Sequence, residues 1–226
     1  MHPPDPTLPV SAQDARTLTR TPLARLPMVP RTVLSLGVLL FVLAACTSGD
    51  FPTGQDGALT GIDPVSADGS CVIENRTFDD DVALKARTHC TFVDVRIEGN
   101  LRLNRGARLL GTRIEVDGNI QAQRATSLSV LDSEIHGDIQ FEQGGDVEVQ
   151  NTRVDGNLQL GENEGSLFVE SSVIEGDLQA FQNRLGPFQF EGNTIDGNLQ
   201  CKENSPSPRG SGNMVNGNRE DQCIEL

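Results

Sequence analysis

Ile97-Glu98-Gly99-Asn100-Leu101 begins a phrase that returns as Val116-Asp117-Gly118-Asn119-Ile120-Gln121, Ile135-His136-Gly137-Asp138-Ile139-Gln140 and Val154-Asp155-Gly156-Asn157-Leu158-Gln159. Three further copies follow: Ile174-Glu175-Gly176-Asp177-Leu178-Gln179, Ile195-Asp196-Gly197-Asn198-Leu199-Gln200 and a worn Val215-Asn216-Gly217-Asn218. The glycines stand 19, 19, 19, 20, 21 and 20 residues apart. A fixed period near 20 residues marks a solenoid, in which one repeat cannot bury its apolar face alone and stacking supplies the core.

Numbering each repeat from its glycine as position 0 exposes the columns. Apolar residues recur at −2 (Phe78, then Ile97 through Val215), at +2 (Val82, then Leu101 through Leu199) and at +4 (Leu84 through Cys201). Further columns stand at −9 and −7, as in Leu128 and Val130 or Phe188 and Phe190. Steps of two within each group are strand alternation. The parity changes between −7 and −2, so a bend must lie there. Asp80 takes the glycine's place between Phe78 and Val82, which adds a coil ahead of the seven obvious ones. The glycine itself is expected to turn the chain at positive φ. Segment length varies mainly between +4 and −9, where loops are expected.

These features predict an all-β fold, a right-handed parallel β-helix of about eight coils of 19–21 residues each. At about 4.8 Å per coil, eight coils make a body about 35–40 Å long. A left-handed helix would carry a hexapeptide rhythm, and a propeller a period near 40 residues. Neither is present.

The N-terminal region reads as an address. Val33 to Val42 is an apolar run broken only by Ser35 and Gly37. It falls short of the roughly 20 residues that span a bilayer and matches a signal-peptide core. Leu43-Ala44-Ala45-Cys46 ends it and resembles a bacterial lipobox. The resemblance implies acylation of Cys46 after removal of residues 1–45, and a protein held on the outer face of the cell membrane. Met28, followed by Arg31, would begin a signal peptide of ordinary length, so the true start is expected there. Residues 46–70, rich in Gly, Ser, Thr, Asp and Pro, are expected to form a flexible tether ahead of a β-helix domain over 71–226.

The chain carries 32 Asp and Glu against 18 Lys and Arg. Residues 1–45 hold four Arg and two Asp, so the remainder has 30 acidic against 14 basic residues. Such a surface repels nucleic acid and anionic head groups, and no nucleic-acid partner is expected. Four cysteines lie in the repeat region. Cys71 and Cys90 share position −9 in successive coils, while Cys201 and Cys223 fall on the last full coil and the broken one above it. Vertical neighbours are within disulfide reach, so the expected pairs are Cys71–Cys90 and Cys201–Cys223, clamping the two ends.

Two polar ladders read as outward: Gln121, Gln140, Gln159, Gln179 and Gln200 at +3, and Asn or Asp at +1. They read as stacked amides, with a strip for a cell-wall glycan or surface protein as the alternative. The column at −1 is acidic. With its neighbours it offers Asp117, Asp138, Asp155, Glu175, Asp177 and Asp196 as a weak Ca²⁺ stripe; the plainer reading is a solvated acidic face. Arg102, Arg105, Arg108 and Arg113 crowd the early coils and read as surface charge. Short loops, two histidines in different coils and the lack of hydrolase or phosphate-loop motifs argue against an enzyme.

The run Gly197-Asn198-Leu199-Gln200-Cys201-Lys202-Glu203-Asn204-Ser205-Pro206, with Asp221-Gln222-Cys223 beyond it, resembles the close of a family of secreted or lipidated actinobacterial proteins of unknown function. That resemblance implies a surface β-helix and brings no activity with it. The Gly-Asn/Asp-apolar phrase is also similar to bactofilins, which polymerise end to end. The expected protein is a monomeric surface lipoprotein whose β-helix is a structural or binding module. A degenerate polysaccharide-processing enzyme and a self-assembling subunit are the alternatives.

Overall fold

Apolar residues that return every coil at −2, +2 and +4 can all leave water only by pointing at a common axis. The computed structural model describes residues 69–226, and there the chain does this, in eight coils of parallel strands with no helix. The signal segment, Cys46 and nearly all of the tether lie outside the described residues. Ile97, Val116, Ile135, Val154, Ile174 and Ile195 at −2 are fully buried, as are Leu101, Ile120, Ile139, Leu158, Leu178 and Leu199 at +2. Each coil pairs in register with the next, Gln121 against Gln140 and Gln159 against Gln179, so like residues stack on like.

The bend required by the parity change sits at −5. Asn75, Asp94, Arg113, Asp132, Asn151 and Ser171 all hold positive φ there, as do Gly192 and Gly212. In the first three coils the ladder runs through this bend, giving nine-residue strands Ser70–Phe78, His89–Ile97 and Arg108–Val116. From the fourth coil it divides, first into Ser127–Leu131 and Glu134–Ile135. From the second coil on, the residue at −4 changes along with it. Val95 and Ile114 bury apolar side chains there, whereas Ser133, Thr152, Ser172, Asn193 and Asn213 place buried polar groups. Those groups satisfy backbone that the divided ladder leaves open. Ser133 Oγ accepts from Ile114 N at 3.0 Å, and Asn193 Nδ2 donates to Val169 O at 2.8 Å.

A second internal ladder occupies the corner after the return strand. Asn163, Asn183 and Asn204 are buried; the Oδ1 of Asn183 accepts from Asn163 N at 2.9 Å, and its Nδ2 donates to Leu160 O at 2.9 Å. Every buried side-chain polar atom among the described residues has a partner, as a low-dielectric interior demands.

The repeat glycine has a different reason from the one expected: none of Gly99, Gly118, Gly137, Gly156, Gly176, Gly197 or Gly217 has positive φ. The constraint is close approach. The Asn or Asp at +1 runs its side chain along the axis, and its Oδ1 accepts from the backbone N–H of the +1 residue in the next coil. The distances are 2.7 Å for Asp81 to Asn100, 2.9 Å for Asn100 to Asn119, 2.8 Å for Asn119 to Asp138 and 2.7 Å for Asp138 to Asn157. Asn157, Asp177 and Asn198 continue the ladder to Asn218. A Cβ at Gly137 would stand 2.5 Å from Asn119 Oδ1, and one at Gly118 2.6 Å from Asn100 Oδ1. The glycine makes room for the ladder of the coil below.

Both disulfides form as expected, with Cα separations of 4.5 Å for Cys71–Cys90 and 5.3 Å for Cys201–Cys223. All four cysteines are buried, so the clamps belong to the core at each end.

Gly137→Ala should therefore lower stability by about 2–4 kcal/mol, the range of a substitution that forces packed backbone apart. Gly161→Ala should be neutral or slightly stabilising, because a Cβ there meets nothing closer than Glu142 Cγ at 3.8 Å. Urea titration of both variants measures the difference; equal losses would remove close approach as the reason for the repeat glycine.

Candidate functional site

Strand alternation that turns −2 inward turns −3 and −1 outward. Stacking then converts each position into an axial row, with neighbours one coil apart. The −1 row holds Glu98, Asp117, His136, Asp155 and Glu175, and the −3 row beside it holds Arg96, Glu115, Glu134 and Arg153. Together they form a chain of ion pairs across five coils.

Arg96 bonds Glu115, reaches Asp117 at 2.8 Å and stands 3.9 Å from Glu98. His136 follows, with Nδ1 2.9 Å from Asp155 and Nε2 3.5 Å from Glu115. Arg153 closes the chain, 2.8 Å from Asp155 and bonded to Glu175. The His136 imidazole is held above its usual pKa, first by the bond to Asp155 and then by Glu115. Asp155 is held low, chiefly by His136 and further by Arg153; the Arg96 bond does the same for Glu115.

The six carboxylates of the Ca²⁺ stripe are distributed among other donors. Asp138 and Asp177 accept axial bonds in the +1 ladder, each taking a second from the side chain above, Asn157 or Asn198, at 3.1 Å. Asp117 faces Arg96, Asp155 faces His136 and Arg153, Glu175 faces Arg153, and Asp196 accepts from Asn216 Nδ2 at 2.7 Å. The ligand atoms that do converge belong to Glu115, Asp117 and His136, within 4.8 Å of one another, and Arg96 already bridges both carboxylates. Arg96, Glu115 and Arg153 were missed as partners of the acidic row in sequence, although their spacing two residues ahead of it in each coil was visible.

The +3 ladder lies on the 8-stranded sheet and is less outward than expected: Gln121, Gln140, Gln159 and Gln179 are half-buried, and Gln200 is buried under the last coil. Gln179 Nε2 donates to Gln200 Oε1 at 2.9 Å, and Gln200 Nε2 to Glu220 Oε2 at 3.0 Å, so the amides point their N–H groups toward the C-terminal coil and end on a carboxylate. Beside this row Gly161 leaves open space between the half-buried Glu142 and Phe181. Burial pushes the Glu142 carboxyl up, with Glu162 adding to the effect. A shallow open depression of about 460 Å³ lies at the −5 corner between Arg113, Asp132, Glu134, Asn151 and Arg153. Arg113 is committed to Asp94 at 2.7 Å and Arg153 to the ion-pair chain.

Comparison of the chain with protein-family models, with curated proteins and with solved structures finds no match.

The shifts set a pH window. A raised His136 contributes stability that is complete below its unfolded value near 6.5 and is lost as pH rises through its folded value. The depressed Glu115 and Asp155 contribute above their unfolded values near 4 and lose that contribution as pH falls through their folded values. The melting temperature should therefore peak between about pH 4.5 and 6.5. His136→Gln should flatten the fall on the alkaline side and weaken the Asp155 share of the acid limb, leaving the Glu115 share that Arg96 sets. An unchanged alkaline limb in that variant would detach His136 from the profile. Since the stripe's oxygens already have donors, Ca²⁺, Mg²⁺ and NaCl matched in ionic strength should shift the melting temperature alike; a shift specific to Ca²⁺ would restore the metal reading.

Proposed function

We propose that this chain is an exported lipoprotein, anchored through Cys46, whose β-helix serves as a rigid, non-catalytic surface module. The observation that carries this reading is the engagement of its polar groups with one another: the axial +1 ladder, the two internal ladders and the ion-pair chain stiffen the body. An acid–base enzyme instead needs carboxylates with unequal surroundings in a recess, poised for a substrate. Two buried disulfides suit an oxidising compartment. Among the described residues no helix is long and apolar enough to cross a membrane.

The Gln face supports a glycan-binding role for the module. Gln140, Gln159 and Gln179 set half-buried amides at the coil repeat, and Phe181 beside the open Gly161 offers a half-buried aromatic ring next to them. Amides orient sugar hydroxyls while an aromatic face covers an apolar ring face.

Cys46→Ala should move the protein from the detergent phase to the medium, or leave it uncleaved. A mature, detergent-phase form of that variant would exclude acylation there. The exported protein should be monomeric by light scattering and should leave cell-wall and plant polysaccharides intact. Depolymerisation would favour the enzyme reading, and a ladder of end-to-end multimers the assembling subunit.

A further inference from the structure

Charge on this acidic domain is segregated along the axis. Residues 82–89, 101–108 and 120–127 carry coils 1 to 3 along the return strand and around the following corner, and they contain no Asp or Glu. They hold Lys85, Arg87, Arg102, Arg105, Arg108 and Arg124, all exposed. The backbone gathers these residues. Arg87 N donates to Arg105 O at 3.1 Å, Gly106 N donates to Arg124 O at 2.7 Å, and Arg108 pairs in register with His89. A Cβ on Gly106 would stand 3.2 Å from Arg87 Cγ, so the Arg87 stem lies directly over the next coil.

The cations of the −3 and −5 rows, by contrast, are paired. Arg96, Arg113 and Arg153 each sit on carboxylates. In coils 4 to 7 the same corner carries amides and acids bonded to each other, Gln143 to Glu162 at 3.0 Å and Gln182 to Glu203 at 2.8 Å. Among the described residues Lys85, Arg87, Arg105 and Arg108 have no ion-pair partner, and Arg124 donates only to the neutral Gln143. Stacked like charges one coil apart repel. Folding gains nothing from gathering them, which points to an anionic partner.

We propose that the basic corner of coils 1–3 docks on the anionic phospholipid head groups of the membrane that holds Cys46. This rests on the lipoprotein reading above. Charge complementarity and chain order select this occupant: the patch is basic and lies on the first coils after Cys46, and the chain from residue 46 to 69, at most about 80 Å when fully extended, keeps the domain near that membrane. A basic patch adds an electrostatic contact to a lipid anchor and draws the domain itself onto an anionic surface. The net negative charge of the domain does not oppose this, because screening over about 8 Å leaves the local patch to decide the contact.

The test uses the full chain with Cys46→Ala, which removes the lipid, and vesicles of phosphatidylcholine with or without phosphatidylglycerol. The unlipidated chain should prefer the anionic vesicles, and added salt should reduce that preference. Replacing Lys85, Arg105 and Arg108 together by Gln should weaken anionic binding by about a hundredfold, at about fivefold per basic residue near such a surface. The charge-matched control, Arg184, Lys202 and Arg209 to Gln, should change it less than twofold or so. All these chains share the same leader, so the difference reports the patch. Equal weakening by the two triple variants, or equal binding to neutral and anionic vesicles, overturns the proposal. Patch-dependent binding to a soluble anionic polysaccharide without vesicle binding also overturns it and assigns the corner to the wall. If wild-type protein fails to partition into detergent while the unlipidated chain still prefers anionic vesicles, the anchor reading fails and the patch stands.

Discussion

An Oδ1 reaching one coil along the axis to a backbone N–H at a glycine corner is the interaction on which this solenoid depends. It links Asp81 to Asn218 through every coil. It requires Asn or Asp at +1, the shortest side chains with an oxygen at that reach, and it forbids a Cβ at 0. It also orders the charges. Each aspartate of the row, at 81, 138 and 177, is followed by an asparagine whose Nδ2 adds a second bond. Two aspartates in succession would set carboxylates a coil apart and lose that donor.

Once this corner holds the vertical spacing, the other two are free to vary, and they do so along the axis. The second and third coils bend continuous strands around apolar Val95 and Ile114, and Gly111 makes room for the latter, since a Cβ there would meet Ile114 Cδ1 at 2.8 Å. Later coils break the strand and fill the corner with Ser, Thr and Asn. The other corner changes from arginine to paired amides and acids over the same coils. The solenoid thus has two chemically distinct ends on one repeating frame.

Period, coil number, inward columns and the Cys71–Cys90 bridge were legible in sequence because each rests on a side chain that recurs in one row, and Cys201–Cys223 because the two fall on adjoining coils. The bend at −5 was legible as a change of parity. The role of the repeat glycine was not: it depends on a contact with the previous coil, and glycine more commonly signals positive φ. The internal polar ladders escaped for a related reason. Asn163, Asn183 and Asn193 look like loop residues, and only stacking reveals that each can satisfy backbone above and below it. The acidic row looked free because its partners, Arg96 and Arg153, are interspersed with Glu115 and Glu134 in the row beside it. Pairing across coils is a three-dimensional fact that one coil of sequence does not contain.

The central claim concerns backbone N–H groups at +1 that face a corner yet are held by the side chain of the coil below. Residue-resolved amide hydrogen exchange under native conditions tests it most directly. The N–H groups of Asn119, Asp138, Asn157 and Asp177 should exchange as slowly as those of the buried −2 column, through global unfolding. Asn157→Ala should speed exchange at Asp177 while leaving Asn119 protected. Fast exchange at the +1 positions of the unmodified protein, at rates typical of open turns, would contradict the account.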